Sequence, residues 1–176
     1  RMITLIRSLS DKPIYVDANQ GWPTKEHALM MCQWLAEQGV VMIEQPMPKQ
    51  MAEEHAWLCE RVELPILADE ACQTYADVTG LQPYYDGINI KLMKCGGVAE
   101  ARKMIALARE LGMQVMIGCM TETSAGISAA TTLSPLVDYA DLDGHVLLAN
   151  DPYEGIQLVD GKLTLVNKPG TGVTPR

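Results

Sequence analysis

Residues 40–44 have the sequence Val40-Val-Met-Ile-Glu44, in which a short apolar run is followed at once by a carboxylate. Similar short runs recur along the chain, and amphipathic stretches of helical length separate them. Nearly continuous apolar runs are typical of parallel strands that are buried on both faces. The predicted strands are Ile14–Val16, Val40–Ile43, Pro65–Ala68, Gly87–Ile90, Gln114–Ile117 and Val137–Ala140, and the predicted helices are residues 24–38, 50–62, 74–82, 98–111 and 123–133.

The residue that follows each predicted strand is more informative than the strand itself. The carboxyl ends of the strands of a parallel barrel face one mouth, where barrel enzymes place their chemistry. An open doubly wound sheet would spread the same residues along a line, and no glycine-rich phosphate loop follows the first strand to favour that fold. We therefore predict six βα units of a modified TIM (β/α) barrel, with these strand-end residues at its mouth: Asp17, Glu44, Asp69, Lys91, Gly118 and Asp141.

Both ends of the sequence differ from this repeat. Six units are fewer than the eight of a closed barrel, and Arg1–Ser10 has the apolar pattern of a preceding helix, so we expect two further units upstream. After the last strand, two alternating runs around Asp160-Gly161 predict a hairpin. We expect the C-terminal six units of a barrel, catalytic, over residues 1–150, and over residues 151–176 an extension whose hairpin packs on a capping domain outside this sequence.

Composition excludes some classes of partner. The net charge is −8, and Lys and Arg are scattered, which argues against nucleic acid or an anionic membrane as a partner. No apolar run approaches the roughly 20 residues of a membrane-spanning helix, and the first residues lack the pattern of a secretory signal. The five cysteines form no C-x-x-C pair and are irregularly spaced, so they do not suggest a disulfide framework. We expect a cytoplasmic protein.

Three carboxylates on successive strand ends predict a metal site. Asp17, Glu44 and Asp69 offer hard oxygen ligands, which suit Mg²⁺. Any one of them alone would more commonly be a helix cap or a solvated side chain, so the prediction depends on their matching positions. Lys91 would project into the same mouth as a general base, because a nearby dication and desolvation would both lower its pKa. The alternative for Lys91 is an ion pair with Asp69 or Glu70.

Four motifs resemble those of the enolase superfamily, muconate-lactonizing subgroup, in the same order. They are Val16-Asp17-Ala18-Asn19, Ile43-Glu44-Gln45-Pro46, Ala68-Asp69-Glu70, and Lys91 with Gly96-Gly97. The resemblance extends over nearly the whole chain. It implies that the three carboxylates bind Mg²⁺, that Lys91 is an acid/base, and that Asn19 and Glu70 support the metal ligands. It also implies abstraction of a proton α to a metal-bound carboxylate, through an enediolate.

The end of the last predicted strand indicates a subfamily. Asp141 and Asp143 lie two residues apart and can point the same way. Family members with this Asp-x-Asp pattern resemble dipeptide epimerases of the L-Ala-D/L-Glu type, in which the pair binds the α-ammonium of the substrate. The segment after the preceding strand also resembles the epimerase pattern, and Cys119 and Thr121 are its expected substrate contacts. The alternative for Asp143 is a cap of the following turn.

The sequence also allows other functions, both for enzymes of the same subgroup and for a protein that is not an enzyme. The rivals are a cycloisomerase, an o-succinylbenzoate synthase, an N-acylamino acid racemase, and a non-catalytic barrel scaffold. An N-acylated substrate has no ammonium for two aspartates to neutralise, which favours the dipeptide. Family members are often assembled, so a homo-oligomer is also open.

Epimerisation requires a second acid/base, which the family takes from a lysine-x-lysine motif on an earlier strand. The chain has no such motif, so we expect that lysine upstream of Arg1 and expect residues 1–176 alone not to epimerise a substrate. Lys94, three residues after Lys91, is expected to be a solvated loop residue rather than the missing base.

Overall fold

A computed structural model describes residues 1–176 and contains a six-stranded parallel sheet whose strand order follows the chain. None of its helices combines the length and apolar character that crossing a bilayer requires. The sheet strands are β1 (Ile14–Asp17), β2 (Val40–Glu44), β3 (Ile66–Ala68), β4 (Gly87–Lys91), β5 (Gln114–Gly118) and β6 (Tyr139–Ala140). The helices are α1 (Met2–Leu9), α2 (Lys25–Glu37), α3 (Ala52–Cys59), α4 (Tyr75–Leu81), α5 (Leu92–Cys95), α6 (Val98–Glu110) and α7 (Ser124–Thr131).

The predicted elements agree with this order, and local signals explain several boundaries. Thr24 caps α2, since its hydroxyl oxygen accepts a hydrogen bond from the backbone N–H of His27 at 3.2 Å. The prediction for the last strand is too long, because β6 begins at Tyr139 rather than at Val137. The backbone N–H of Val137 closes a 3₁₀ turn by donating to the carbonyl of Ser134 at 3.4 Å, so Val137 does not extend the strand.

The sheet curls so strongly that side chains of its first and last strands touch. Tyr15 on β1 and Tyr139 on β6 have ring centroids 5.3 Å apart, with an edge-to-face angle of 71°. On the same inner face, Met42, Leu67 and Met116 form a small buried cluster against which Tyr139 packs. The six strands therefore form the curved wall of a half-barrel, and the predicted fold class is confirmed.

The main hydrophobic core lies between the outer face of the sheet and the surrounding helices. Ile43, Ile88 and Ile117 from the strands are fully buried in it, together with Leu35 and Ile127 from the helices. Burying a side chain of this size contributes about 1.5–3 kcal/mol. Because side chains alternate along a strand, this packing turns the neighbouring residues, and with them the strand ends, toward the inside of the curve.

The C-terminal extension contains the predicted hairpin. Strands β8 (Gln157–Val159) and β9 (Lys162–Thr164) pair antiparallel around Asp160 and Gly161, which have φ values of 51° and 75°. Positive φ at both positions is what a two-residue type I′ turn requires. Two further short strands, β7 (Tyr153–Glu154) and β10 (Thr174–Pro175), pair with each other. Leu163 packs against the main core, while contact with a capping domain and a boundary at residue 150 stay predictions.

Candidate metal centre and active site

The three predicted metal ligands meet at the carboxyl ends of β1, β2 and β3. Asp17 and Glu44 are direct neighbours in the register of β1 and β2, and Asp69 follows β3. One carboxylate oxygen of each lies within 4.8 Å of those of the other two. Two oxygens on one octahedral Mg²⁺ lie roughly 3–4 Å apart, so small side-chain rotations would suffice. The side chains therefore converge as expected, and their role as metal ligands stays a prediction.

Burial and repulsion between the carboxylates raise the pKa of two of them. Burial raises the pKa of Glu44 to about 7, and the charges of Asp17 and Asp69 act in the same direction, although a hydrogen bond from Asn89 opposes them. Burial also raises the pKa of Asp17, against the effect of the backbone N–H of Asn19. A cation among them would relieve both penalties. The donor set and its electrostatics therefore fit a hard divalent ion such as Mg²⁺.

The two predicted supporting residues behave differently. Asn19 donates twice to Asp17, from its backbone N–H at 2.7 Å and from its side-chain amide at 2.6 Å, and so orients that carboxylate. Its φ of 45° lies in the left-handed region, which asparagine tolerates better than most residues. Glu70 leaves Oε2 buried without a hydrogen-bond partner, so it has no such orienting contact. Its influence is electrostatic, since its charge contributes to raising the pKa of Asp17.

Two lysines bracket the carboxylate of Asp69. Lys91 Nζ lies 2.6 Å from Oδ2, which is the ion pair that the sequence left open as an alternative. Burial lowers the pKa of Lys91, but the hydrogen bond to Asp69 and the surrounding negative charges outweigh it, so the pKa lies above its usual value. In this arrangement the ion pair stabilises the ammonium more than burial penalises it, and the lowering expected beside a divalent cation stays a prediction.

Lys94 is not the solvated loop residue that the sequence predicted. It lies in α5, its side chain is only 7% exposed, and its Nζ lies 2.5 Å from Asp69 Oδ1. Helix α5 ends at Gly96, whose φ of 91° requires glycine, and this single turn carries the side chain of Lys94 back over the end of β3. A buried lysine needs such a partner, and Asp69 supplies it.

Two buried amides that the sequence analysis did not select hold the ligands in place. Asn89 donates to Glu44 Oε1 at 2.6 Å. Gln45 accepts from the backbone N–H groups of Asp69 at 2.9 Å and Ala71 at 3.2 Å through Oε1, and donates to the hydroxyl of Tyr85 at 2.9 Å. Gln45 thus ties the end of β2 to the end of β3. The sequence did contain a signal for both amides, because Asn89 lies within an apolar strand and Gln45 directly follows one.

The predicted substrate-binding residues lie on the loops that follow β5 and β6. A Cβ atom at Gly144 would overlap the carbonyl oxygen of Met120 and lie 3.1 Å from Cys119 Sγ, so the two loops are in direct contact there. Burial raises the pKa of Cys119, which agrees with a packed thiol rather than a nucleophile. Thr121 is exposed on the same loop.

The Asp-x-Asp pair is exposed at the end of β6. Asp143 precedes a 3₁₀ turn over Gly144–Leu147, but its side chain makes no capping hydrogen bond, so the alternative role in a turn is not supported. Burial and the charge of Asp143 raise the pKa of Asp141, and the ammonium of Lys91 lowers it. The opposing effect of Lys91 indicates that Asp141 lies close enough to this lysine for their charges to interact.

A cavity of about 570 Å³ adjoins the Asp-x-Asp pair. Asp141 and Asp143 line one side, and Leu158 and Lys162 from the hairpin line another. Thr131 and Ser134 also line it, whereas Lys91 and the three converging carboxylates do not, so this cavity is separate from the point where those groups meet. The sequence did not predict that the hairpin would lie beside the aspartates.

Carboxylates and a lysine at the strand ends of a parallel half-barrel define a class of barrel proteins that act at the mouth. Residues 1–176 match the enolase C-terminal domain-like family along their whole length. The chain belongs to this family, which confirms the resemblance seen in its motifs.

Known relatives agree with this assignment. The chain is 56% identical over 172 residues to an L-Ala-D/L-Glu epimerase of Bacteroides thetaiotaomicron, covering 98% of this chain and 45% of that protein. Its fold matches the substrate-liganded L-Ala-D/L-Glu epimerase from Bacillus subtilis with a TM-score of 0.90, at 31% identity over 98% of this chain and 51% of the other.

A dipeptide epimerase from Cytophaga hutchinsonii, complexed with Mg and D-Ala-L-Val, also gives a TM-score of 0.90, at 27% identity over 99% of this chain and 50% of the other. The chain therefore spans about half the length of the relatives that it matches.

Proposed function

We propose that this chain supplies the metal ligands, one acid/base lysine and the ammonium-binding carboxylates of a Mg²⁺-dependent dipeptide epimerase. The proposal depends on one observation, the convergence of Asp17, Glu44 and Asp69 within 4.8 Å beside Lys91. The reaction removes the proton from the carbon next to the terminal carboxylate of a dipeptide and returns a proton to either face of that carbon. The whole activity is proposed for the full-length protein, in which a second acid/base serves the opposite face.

The first requirement is to offset the charge that develops when that proton leaves. Bound Mg²⁺ would supply positive charge next to the substrate carboxylate, a contribution of several kcal/mol. Asp17, Glu44 and Asp69 would hold the ion. Asn19 and Asn89 orient two of these ligands through short hydrogen bonds, so little reorganisation is needed on binding.

Lys91 is the proposed proton carrier on one face. Its ammonium has a single hydrogen-bond partner, Asp69 Oδ2, and can exchange that partner for substrate without losing other bonds. In its ammonium form Lys91 can deliver a proton to the reacting carbon, and in its amine form it can remove one. The ammonium form is favoured in this structure, because the pKa of Lys91 lies above its usual value.

Asp141 and Asp143 are the proposed partners of the free amino group of the dipeptide. Burial and the charge of Asp143 raise the pKa of Asp141, and a bound ammonium would offset both effects. The cavity beside the pair has neither Lys91 nor a proposed metal ligand in its lining, so the dipeptide is proposed to extend from Lys91 to the pair rather than to fill that cavity. Cys119 and Thr121, on the neighbouring loop, are the proposed contacts beside the substrate.

Deuterium exchange tests the proposal directly. The full-length protein is incubated in D₂O with Mg²⁺ and L-Ala-L-Glu, and NMR follows loss of the α-proton of the C-terminal residue and appearance of its epimer. We expect exchange in the native protein and its loss, by at least a hundredfold, in Asp17→Ala. Absence of exchange at every α-carbon across a dipeptide library would instead support a non-catalytic barrel.

A matched pair of variants tests the substrate class. Asp143→Asn is expected to slow exchange of free dipeptides at least tenfold, because half of the ammonium site loses its charge. The control, Asp160→Asn, makes the same change at the exposed hairpin turn and should leave the rate unaltered. If Asp143→Asn leaves dipeptide exchange intact while Asp17→Ala abolishes it, the dipeptide assignment fails. Faster exchange of an N-acylated amino acid than of any dipeptide would indicate a racemase.

A further inference from the structure

The two lysines that contact Asp69 differ in how firmly they are held. Lys91 has one acceptor, Asp69 Oδ2, at 2.6 Å. Lys94 has three, which are Asp69 Oδ1 at 2.5 Å, the backbone carbonyl of Asp69 at 2.8 Å and the backbone carbonyl of Asn89 at 3.3 Å. An ammonium has three N–H donors, so every donor of Lys94 has a partner within the chain.

The position of Lys94 in the fold makes this arrangement rigid. Its acceptors belong to two segments, the end of β3 at Asp69 and the middle of β4 at Asn89. Its side chain is 7% exposed, so solvent offers little competition for these bonds. Breaking one of them would leave a buried charge with an unpaired donor, which costs free energy.

We propose that Lys94 is a positioning residue that leaves Asp69 a single oxygen for a divalent cation, namely Oδ2, which Lys91 must release when the cation binds. This inference rests on the metal site of the proposed function. While Lys94 occupies Oδ1, the carboxylate cannot turn both oxygens toward one ion. Mg²⁺ takes single oxygens in near-ideal octahedral geometry, whereas Ca²⁺ accepts bidentate carboxylates and a higher coordination number. Lys94 therefore contributes to selectivity for Mg²⁺ over Ca²⁺.

A purely electrostatic role for Lys94 makes a different prediction. A positive charge beside a ligand weakens the binding of every divalent cation, so its removal would strengthen Mg²⁺ and Ca²⁺ binding by similar factors. A positioning role changes the two affinities unequally. The ratio of the two dissociation constants separates these roles, and it requires no turnover.

The test is isothermal titration calorimetry of the full-length protein with Mg²⁺ alone and with Ca²⁺ alone. The native protein is expected to bind Mg²⁺ more tightly, and Lys94→Met to reduce that preference about tenfold or more. Lys94→Gln retains a donor without the charge and should recover part of the preference. Lys103→Met, which removes an exposed lysine on α6, is the control and should leave the preference unchanged. Circular dichroism checks that each variant is folded.

Two results would overturn the inference. One is a preference that stays within twofold of the native value in both Lys94 variants, and the other is a native protein that binds Ca²⁺ at least as tightly as Mg²⁺. The second result applies even if neither variant folds. Two other results would instead contradict the proposed metal site itself. One is a native protein that binds neither cation, and the other is an Asp17→Asn variant that binds each cation as tightly as the native protein does.

Discussion

The two sides of the barrel mouth differ in how their carboxylates are held. On the side of β1 to β3, each carboxylate accepts a short hydrogen bond from the chain: Asn19 donates to Asp17, Asn89 to Glu44, and two lysines to Asp69. On the side of β6, the aspartates are exposed, and Asp143 makes no capping bond. The chain itself therefore holds the carboxylates of the proposed metal side, whereas we expect those of the proposed substrate side to be ordered by what they bind.

This difference suits the two tasks that we propose for these carboxylates. Every substrate of such a site would present the same carboxylate to the metal ion. A fixed array of ligands therefore does not narrow the range of substrates, and it lowers the reorganisation needed for the reaction. The amino end of a dipeptide is attached to a variable side chain. A loosely held pair of carboxylates can follow an ammonium whose position changes with that side chain.

Neutralising Asp69 should have the largest effect, because this proposed metal ligand also forms ion pairs with two lysines. Asp69→Asn leaves two buried ammonium groups without a counter-charge, and we expect a loss of about 3–5 kcal/mol in the free energy of unfolding. Affinity for Mg²⁺ should fall at least a hundredfold. Urea denaturation and calorimetry measure both. The matched change on the substrate side, Asp141→Asn, should leave Mg²⁺ affinity within about twofold, and equal effects of the two variants would contradict the comparison.

Acidification should weaken metal binding next most strongly. The pKa of Glu44 is raised to about 7, so below that pH the group must lose a proton before it can bind a cation. We expect Mg²⁺ affinity to fall by up to tenfold per pH unit below 7, with proton release seen as a dependence of the binding enthalpy on the buffer.

The same shift has the opposite sign for stability without added metal. Because the pKa of Glu44 is raised above its usual 4.5, its contribution is fully present below that pH and is lost as pH rises through about 7. Glu44→Gln should therefore flatten the decline in the free energy of unfolding between those pH values. A stability profile that keeps the same slope in this variant would show that other groups cause the decline.

Adding one methyl group should disturb the substrate side alone. In Gly144→Ala the new Cβ meets the carbonyl oxygen of Met120, and the two loops must separate at a cost of about 1–3 kcal/mol. Thermal unfolding measures the loss, and Mg²⁺ affinity should be unchanged. The control is Gly80→Ala, where nothing lies within 4 Å and a helical alanine is neutral or stabilising. A metal affinity that falls in Gly144→Ala would mean that the two sides are coupled.

The smallest effect is expected where the C-terminal extension joins the substrate side. Asp151 accepts from the backbone N–H of Ser124 at 2.7 Å and from its hydroxyl at 2.6 Å, so it caps the start of α7 from a distant part of the chain. Asp151→Asn should cost about 1 kcal/mol, with Asp160→Asn as a neutral control. Chemical denaturation measures both, and an unchanged stability would indicate that the extension is not anchored at this point.

The sequence predicted the fold and the convergence of the site because both follow from periodicity. Buried parallel strands and regular helices give a repeat, and the repeat places Asp17, Glu44, Asp69 and Lys91 at one edge of the sheet. No three-dimensional information is needed for that step. The dipeptide Asp160-Gly161 predicted the hairpin for a similar reason, because the turn depends only on these two consecutive residues.

The supporting contacts could not be predicted because they depend on partners far apart in the chain. Asn89 and Glu44 are 45 residues apart, and the burial of Lys94 depends on a one-turn helix that no periodic pattern marks. The ion pair of Lys91 with Asp69 is a contact of the same kind, which the sequence offered only as an alternative. In the structure this ion pair and the surrounding negative charges outweigh the effect of burial on the pKa of Lys91.

The contact between Tyr15 and Tyr139 limits the depth of the mouth. The two rings bridge the inside of the curve one layer beneath Asp17 and Asp141, about 7 Å lower for two residues of strand. We therefore expect a reactant that enters from the carboxyl ends to meet an aromatic floor. Such a floor would favour a ligand that lies across the opening, from the proposed metal ligands to the aspartate pair, over one that stands upright in a channel.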